Sequence, residues 1–150
     1  MTEKAEALEP WTTIGLAHAM SFVEMRLRAD LPLPEISVGI DDTFSEVKWD
    51  RDTVPPSTKH VVVSAGGHRF IAGLSRGVEA ACAHAADQLQ DDVMDDLNRP
   101  WPQVTIGSRT GVLEAALEPL GIAHWRLGQQ PVCAIGHLRP LLDRLELPWR

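Results

Sequence analysis

Tyrosine is absent from the chain, and phenylalanine occurs three times against five tryptophans. Lysine is almost as scarce, with three residues against eleven arginines. That bias, with abundant alanine, reads as a GC-rich coding sequence of bacterial type. Only two cysteines are present, Cys82 and Cys133, 51 positions apart. Two are too few for a disulfide framework, and their spacing matches neither CxxC nor a zinc finger. No apolar run approaches the roughly 18–20 residues that a membrane-spanning helix needs. The opening stretch, Met1 to Glu9, is acidic and lacks the apolar core of a signal peptide. A cytoplasmic, reducing location is therefore expected. Positive charge is the last deficit: 14 Lys and Arg stand against 21 Asp and Glu, a net −7. Such a chain lacks the basic face that nucleic acid or anionic lipid requires, so neither is an expected partner, whereas a basic protein is.

What is present is ordinary for a globular domain: 150 residues, 44% hydrophobic and 23% charged. Residues 1–9 read as a flexible acidic tail and 10–150 as a single compact domain. Leu16, Met20, Val23 and Leu27 recur at helical spacing, predicting a helix over about 11–28, and Leu-Pro-Leu-Pro at 31–34 stops it. Ile36, Val38 and Ile40 alternate, and Val47 and Trp49 resume the alternation after a turn, predicting a hairpin that pairs Val38 with Val47. A second hairpin, 59–65 with 68–73, turns at Gly66-Gly67, where both positions can take positive φ. Its register pairs Ala65 with His68 and Val63 with Phe70. A long helix over about 77–98 buries Val78, Cys82, Ala85, Leu89, Val93 and Leu97. Further on, 103–106 reads as a strand, 107–111 as a loop, and 112–120 as either a short helix or a strand. A hairpin of 122–127 with 132–136 and a short terminal helix over 137–145 complete the chain. The fold class is α+β: antiparallel hairpins forming one or two small sheets, packed against the two longer helices.

Leu89-Gln-Asp-Asp-Val93, Arg99-Pro-Trp-Pro102, Gly121-Ile-Ala-His-Trp125 and Ala134-Ile-Gly136 together resemble a group of small uncharacterised actinobacterial proteins. The likeness covers about the last 70 residues. In that group Trp-Pro is followed by a Cys-Pro-x-His-x-His-Pro run and later by a Gly-x-Ala-x-Trp-x-Cys strand, which suggests a metal site. Val104, Gly107, Arg109 and Leu127 stand here where those Cys and His residues would be. The resemblance thus supports a strand at 122–127, implies no activity, and implies that any ancestral zinc site is absent.

Several constellations bear on function. Asp91-Asp-Val-Met-Asp-Asp96 contains DDxxD, a pattern also seen in Mg²⁺–diphosphate sites, whose clustered oxygens suit hard cations. On a helix, Asp91 and Asp95 share one ridge with Asp87 a turn earlier, and Asp92 and Asp96 flank them. Like charges at i,i+4 repel by a few tenths of a kcal/mol, and acid near a helix C-terminus opposes the macrodipole by about 0.3–1 kcal/mol. A solvated face, a docking surface for a basic partner and a metal site are the three readings. Cys82, His84, Cys133 and His137 are the residue types of a zinc site, but Cys82 and His84 lie about 200° apart around a helix. His60 and His68 fall on opposite faces of their hairpin. Gly107-Ser-Arg-Thr-Gly111, if set between a strand and a helix, offers backbone N–H groups, Ser108, Thr110 and Arg109 to a phosphate or carboxylate. It has neither the Walker lysine nor the Rossmann glycine spacing. No GxSxG or HExxH motif appears, so no catalytic residue, metal or cofactor is assigned.

The function expected is a non-catalytic protein-interaction module of inhibitor, immunity or adaptor type. It would present Asp87, Asp91, Asp92, Asp95 and Asp96 to a basic partner, with Trp101 as apolar anchor. The alternative is a small enzyme or ligand-binding domain holding an anionic group at Ser108, Arg109 and Thr110. Homodimerisation is expected if a hairpin edge or Trp101 is left uncovered.

Overall fold

A computed structural model describes residues 13–40, 60–65, 68–74 and 76–150. The tail at 1–9 and the strand expected at 47–49 lie outside these residues.

Helix α1 spans Thr13–Asp30. Its inward side carries Ala19, Val23, Leu27 and Asp30, all buried, with Met20 packed beside them. The helix ends where Pro32 and Pro34 withdraw backbone donors. Its side chains then tie the following segment back along its own length. The Arg28 Nε–H donates to Ile36 O at 2.8 Å, and Glu24 Oε1 accepts the Val38 N–H at 2.9 Å.

Strands β1 (Ser37–Ile40), β2 (His60–Ala65) and β3 (His68–Gly73) form an antiparallel sheet in that order. The β2–β3 register is the expected one, Ala65 opposite His68 and Val63 opposite Phe70. Within the described residues Val38 pairs with Val63 of β2. Val63 and Ala65 are buried and Phe70 half-buried, so this face of the sheet is turned to the core.

Helix α2 spans Val78–Leu97. Four of its buried positions are alanines, Ala81, Ala83, Ala85 and Ala86, alongside Cys82, Leu89 and Val93. Small side chains let neighbouring backbones approach closely, and α2 packs against α1. Asn98 caps its end in the left-handed region at φ 54°, which asparagine tolerates better than most residues.

Beyond α2 the chain is built from hairpins. Strand β4 (Gln103–Ile106) pairs with β5 (Arg109–Val112) across Gly107-Ser108. Strands β6 (Glu114–Ala116), β7 (His124–Leu127) and β8 (Gln130–Ala134) form a further antiparallel sheet in that order. A bulge at Trp125/Arg126 disturbs the β7–β8 register. Helix α3 (Leu138–Arg144) closes the chain. The class is α+β as expected, but the described strands divide into three sheets rather than one or two. The segment 112–120 holds no helix: β5 ends at Val112, β6 covers Glu114–Ala116, and residues 118–120 are turn. The loop expected at 107–111 shrinks to a two-residue turn, because β5 begins at Arg109.

Trp101 and Trp125 meet edge to face at the centre of the core, their ring centroids 6.0 Å apart. Above them Gln90, also buried, donates from Nε2 to the carbonyls of Trp101 (2.9 Å) and Leu113 (2.6 Å). Both acceptors lie in the crossing between α2 and the hairpins, outside the sheet ladders. A buried amide there satisfies carbonyls that would otherwise cost about 1–3 kcal/mol each.

Candidate functional site

Two features stand out. The first is the ridge on α2. Asp87, Asp91 and Asp95 are exposed and follow one another at one-turn intervals. Among the described residues no ion pair engages any of the three. Asp96 is also exposed, with Arg150 3.8 Å away across solvent, a pairing worth little at such a surface. Asp92 is half-buried and makes an interaction of its own within the chain. The last turn of α2 carries no basic residue. Trp101, named as an anchor for a partner, is 1% exposed. Its indole N–H donates to Trp149 O at 2.8 Å, so it belongs to the core and not to this surface.

The loop expected to hold an anion is differently built. Ser108 sits in the β4–β5 turn and Arg109 and Thr110 on β5, so a strand follows where the anion reading needs a helix N-terminus. Arg109 instead reaches across to β7 and β8, donating to Leu127 O at 3.3 Å and to Gln130 Oε1 at 3.4 Å. The Thr110 hydroxyl lies 2.8 Å from that of Thr105 across the hairpin. The arrangement braces strands together and does not converge on a ligand.

Cysteine and histidine are likewise dispersed. Cys82 is buried, whereas His84 is exposed and meets the Phe70 ring edge-on. Burial pushes the thiols of both Cys82 and Cys133 up to about 12, so they stay protonated at neutral pH. His137 is exposed at the start of α3. Among the described residues no three of His, Cys, Asp and Glu are grouped to hold one ion. Buried His124 donates from Nδ1 to Ile122 O at 2.7 Å, and on the same face of β7 Arg126 lies 3.5 Å from Glu114.

The second feature was not foreseen. A groove of about 460 Å³ runs between α1 and the β8–α3 turn, walled by Phe22, Met25, Ala29, Ile122 and Ala134–His137. Phe22, Met25 and Ile122 are three of the four exposed large apolar residues among those described. Arg26 and Glu79 form its floor. The Arg26 guanidinium donates from Nη1 to both Glu79 carboxylate oxygens at 2.7 Å, from Nε to Ile135 O at 2.6 Å, and from Nη2 to Ala123 O at 3.0 Å. Glu79 Oε1 also accepts the Ala123 N–H at 2.8 Å, and the Phe22 ring lies 5.0 Å from the guanidinium. Every polar group on the floor is thereby engaged inside the protein.

One turn along α1, Asp30 clasps the same wall from beneath. Its carboxylate accepts from the Trp125 indole (2.8 Å), the Gly136 N–H (2.6 Å) and the Leu138 N–H (2.9 Å), and its carbonyl from the Trp149 indole (2.6 Å). Asp30 is completely buried. Burial raises its pKa, while the three N–H donors and the nearby His137 pull it back down. Glycine is required at 136, where φ is +112° and a Cβ would lie 3.3 Å from Arg26 Cγ.

No family model, no curated protein and no solved structure matches this chain. Among the described residues no helix is long and apolar enough to cross a membrane.

Proposed function

We propose that the protein is a non-catalytic interaction module, of inhibitor, immunity or adaptor type, that binds the basic surface of another protein through the acidic ridge of α2 in the cytoplasm of a bacterium. One observation carries the reading. Asp87, Asp91 and Asp95 stand exposed on a single ridge with no cation of the described chain in ion-pair reach. Held this way they cost stability, because neighbours repel by a few tenths of a kcal/mol and the last turn opposes the helix dipole. A positively charged partner surface removes both costs. It is also steered to the ridge by long-range attraction that salt screens. Asp96 and Asp92 border the contact. Trp101 takes no part in it.

The test is charge reversal. Asp91→Lys with Asp95→Lys moves the net charge from −7 to −3, since each substitution adds two. Proteins retained from a host lysate by the immobilised wild type at low salt should be absent from the variant, and should leave the wild type as salt rises. Equal retention by a variant that melts normally, or retention insensitive to salt, would remove the acidic ridge from the function.

A further inference from the structure

Helix α1 is apolar on two sides. Its inner stripe, Ala19, Val23 and Leu27, is buried in the core. Phe22, Met25 and Ala29 form a second stripe at helical spacing, and this one lines the groove. A surface helix ordinarily carries a single apolar stripe, because its other side meets water. Phe22, Met25 and, from the loop before β7, Ile122 keep 47%, 67% and 52% of their surface exposed. At roughly 150–250 Å² for a large apolar side chain, this is about 300 Å² of apolar surface gathered in one place. Nothing proposed for the α2 ridge uses it.

We propose that the groove is the contact face of a homodimer: a second copy of the chain packs on it about a twofold axis beside α1, each copy setting its Phe22 and Met25 against the groove of the other. The face carries knob and hole side by side, which is the self-complementarity that an isologous contact needs. The flexible thioether of Met25 suits an irregular hole. The face is also balanced in charge. The arginine and the carboxylate that line it, Arg26 and Glu79, are paired with each other at 2.7 Å, and Glu24 on the same helix lies 3.6 Å from Arg28. A chain of net charge −7 meets its own copy best across such a face, whereas the α2 ridge repels its like.

The area fits a weak dimer. A contact at the low end of the specific range buries up to about 600 Å² on each partner, a little over half of it apolar. The three side chains supply about that apolar share, so the Kd is on the order of 100 μM and association depends on concentration. Phe22 is already held by the Arg26 guanidinium, 5.0 Å from its ring, which lowers the ordering cost of contact. Salt separates this face from the ridge. Screening weakens the attraction between the ridge and a basic partner, yet it relieves the repulsion between two copies at −7 each. Dimerisation therefore tightens as salt rises.

The experiment is analytical ultracentrifugation of the full chain from about 10 μM to 1 mM, at about 50 mM and 0.5 M salt. The expected result is a reversible monomer–dimer equilibrium that is tighter at the higher salt. There, Met25→Glu and, independently, Ile122→Glu should each weaken it at least about tenfold, because the symmetry buries two unpaired charges in every dimer. Both positions are exposed in the monomer, so both variants should melt like the wild type. Asp91→Lys with Asp95→Lys should dimerise at least as tightly as the wild type, so a failure of the ridge to capture a partner leaves this result standing. A wild type that stays monomeric throughout gives the groove to another occupant and overturns the proposal. A dimer that neither substitution weakens places the contact elsewhere, at a hairpin edge, and overturns it as well, as does association that weakens with salt.

Discussion

Replacing Arg26 by methionine should be the most costly single change on the outer face of α1, although the position looks like a surface arginine in the sequence. Methionine keeps much of the aliphatic stem, so the loss is confined to the guanidinium. Glu79 would lose its counter-ion, and breaking a buried pair from one side costs about 3–5 kcal/mol. Glu79 is 29% exposed, so water repays part of this and about 1–2 kcal/mol is the appropriate share. Ile135 O loses its donor, at about 1 kcal/mol. Ala123 O keeps a bond from the Ile135 N–H and is not stripped. The contact with the Phe22 ring adds about 0.5 kcal/mol. The total is about 3 kcal/mol, or roughly 6–12 °C in Tm for a chain of this length. Glu79→Gln should cost about 1–2 kcal/mol, since its amide oxygen can still accept from Ala123. The double variant should lose at least about 1 kcal/mol less than the two singles combined. Chemical denaturation of all four proteins supplies the numbers. A cost below about 1 kcal/mol for Arg26→Met, or a coupling near zero, would refute the view that this pair joins α1 and α2 to the C-terminal sheet.

The remaining predictions concern other parts of the molecule. Asp91→Lys with Asp95→Lys should leave Tm unchanged or raise it slightly, because repulsion and the dipole conflict are both relieved; a melt falling by more than about 5 °C would give these carboxylates a structural role instead. Gly136→Ala should cost about 1–3 kcal/mol through its left-handed backbone and the approach of Arg26, whereas Gly39→Ala, with open space around its Cβ, should not destabilise; equal melts for the two would be contrary evidence. Cys82 and Cys133 ionise at about 12 when folded against an ordinary 9.0. The unfolded chain therefore releases these protons first, and stability should fall as pH rises from 9 towards 12, with a slope of up to about 1.4 kcal/mol per pH unit for each thiol. Replacing both by alanine should flatten that alkaline limb in urea unfolding, and an unaltered slope would contradict the assignment.

The elements that were legible in the sequence are those in which apolar periodicity and turn chemistry agree. The β2–β3 register was legible because only two residues separate Ala65 from His68, which leaves the paired strands no freedom to slip. The α2 stripe was legible because Cys82, Ala85, Leu89 and Val93 repeat at helical spacing without interruption. The segment at 107–120 was not, since Gly107 and Gly111 are permissive, Ala115 and Ala116 favour helix on their own, and β5 and β6 are only four and three residues long. Their state is decided by partners distant in sequence, Arg109 lying against Leu127 and Ala115 opposite Trp125.

The missed site follows from the same logic. Nothing in the sequence singles out Arg26, Asp30 and Glu79, because charged residues usually lie in solvent. Yet Arg26 and Asp30 lie four apart, on either side of Leu27 in the buried stripe of α1, which is where a charged pair cannot avoid the core boundary. Their partners are backbone groups at Ala123, Ile135, Gly136 and Leu138, and backbone groups leave no mark in a sequence. The one signal within reach was Gly136, a glycine just ahead of a helix whose open Cβ position Arg26 requires. An interaction surface of exposed carboxylates can be read from charge pattern alone. A buried carboxylate held by three N–H groups becomes visible only when the chain is folded, because its partners, the Trp125 indole and the Gly136 and Leu138 amides, lie about a hundred positions away in the sequence.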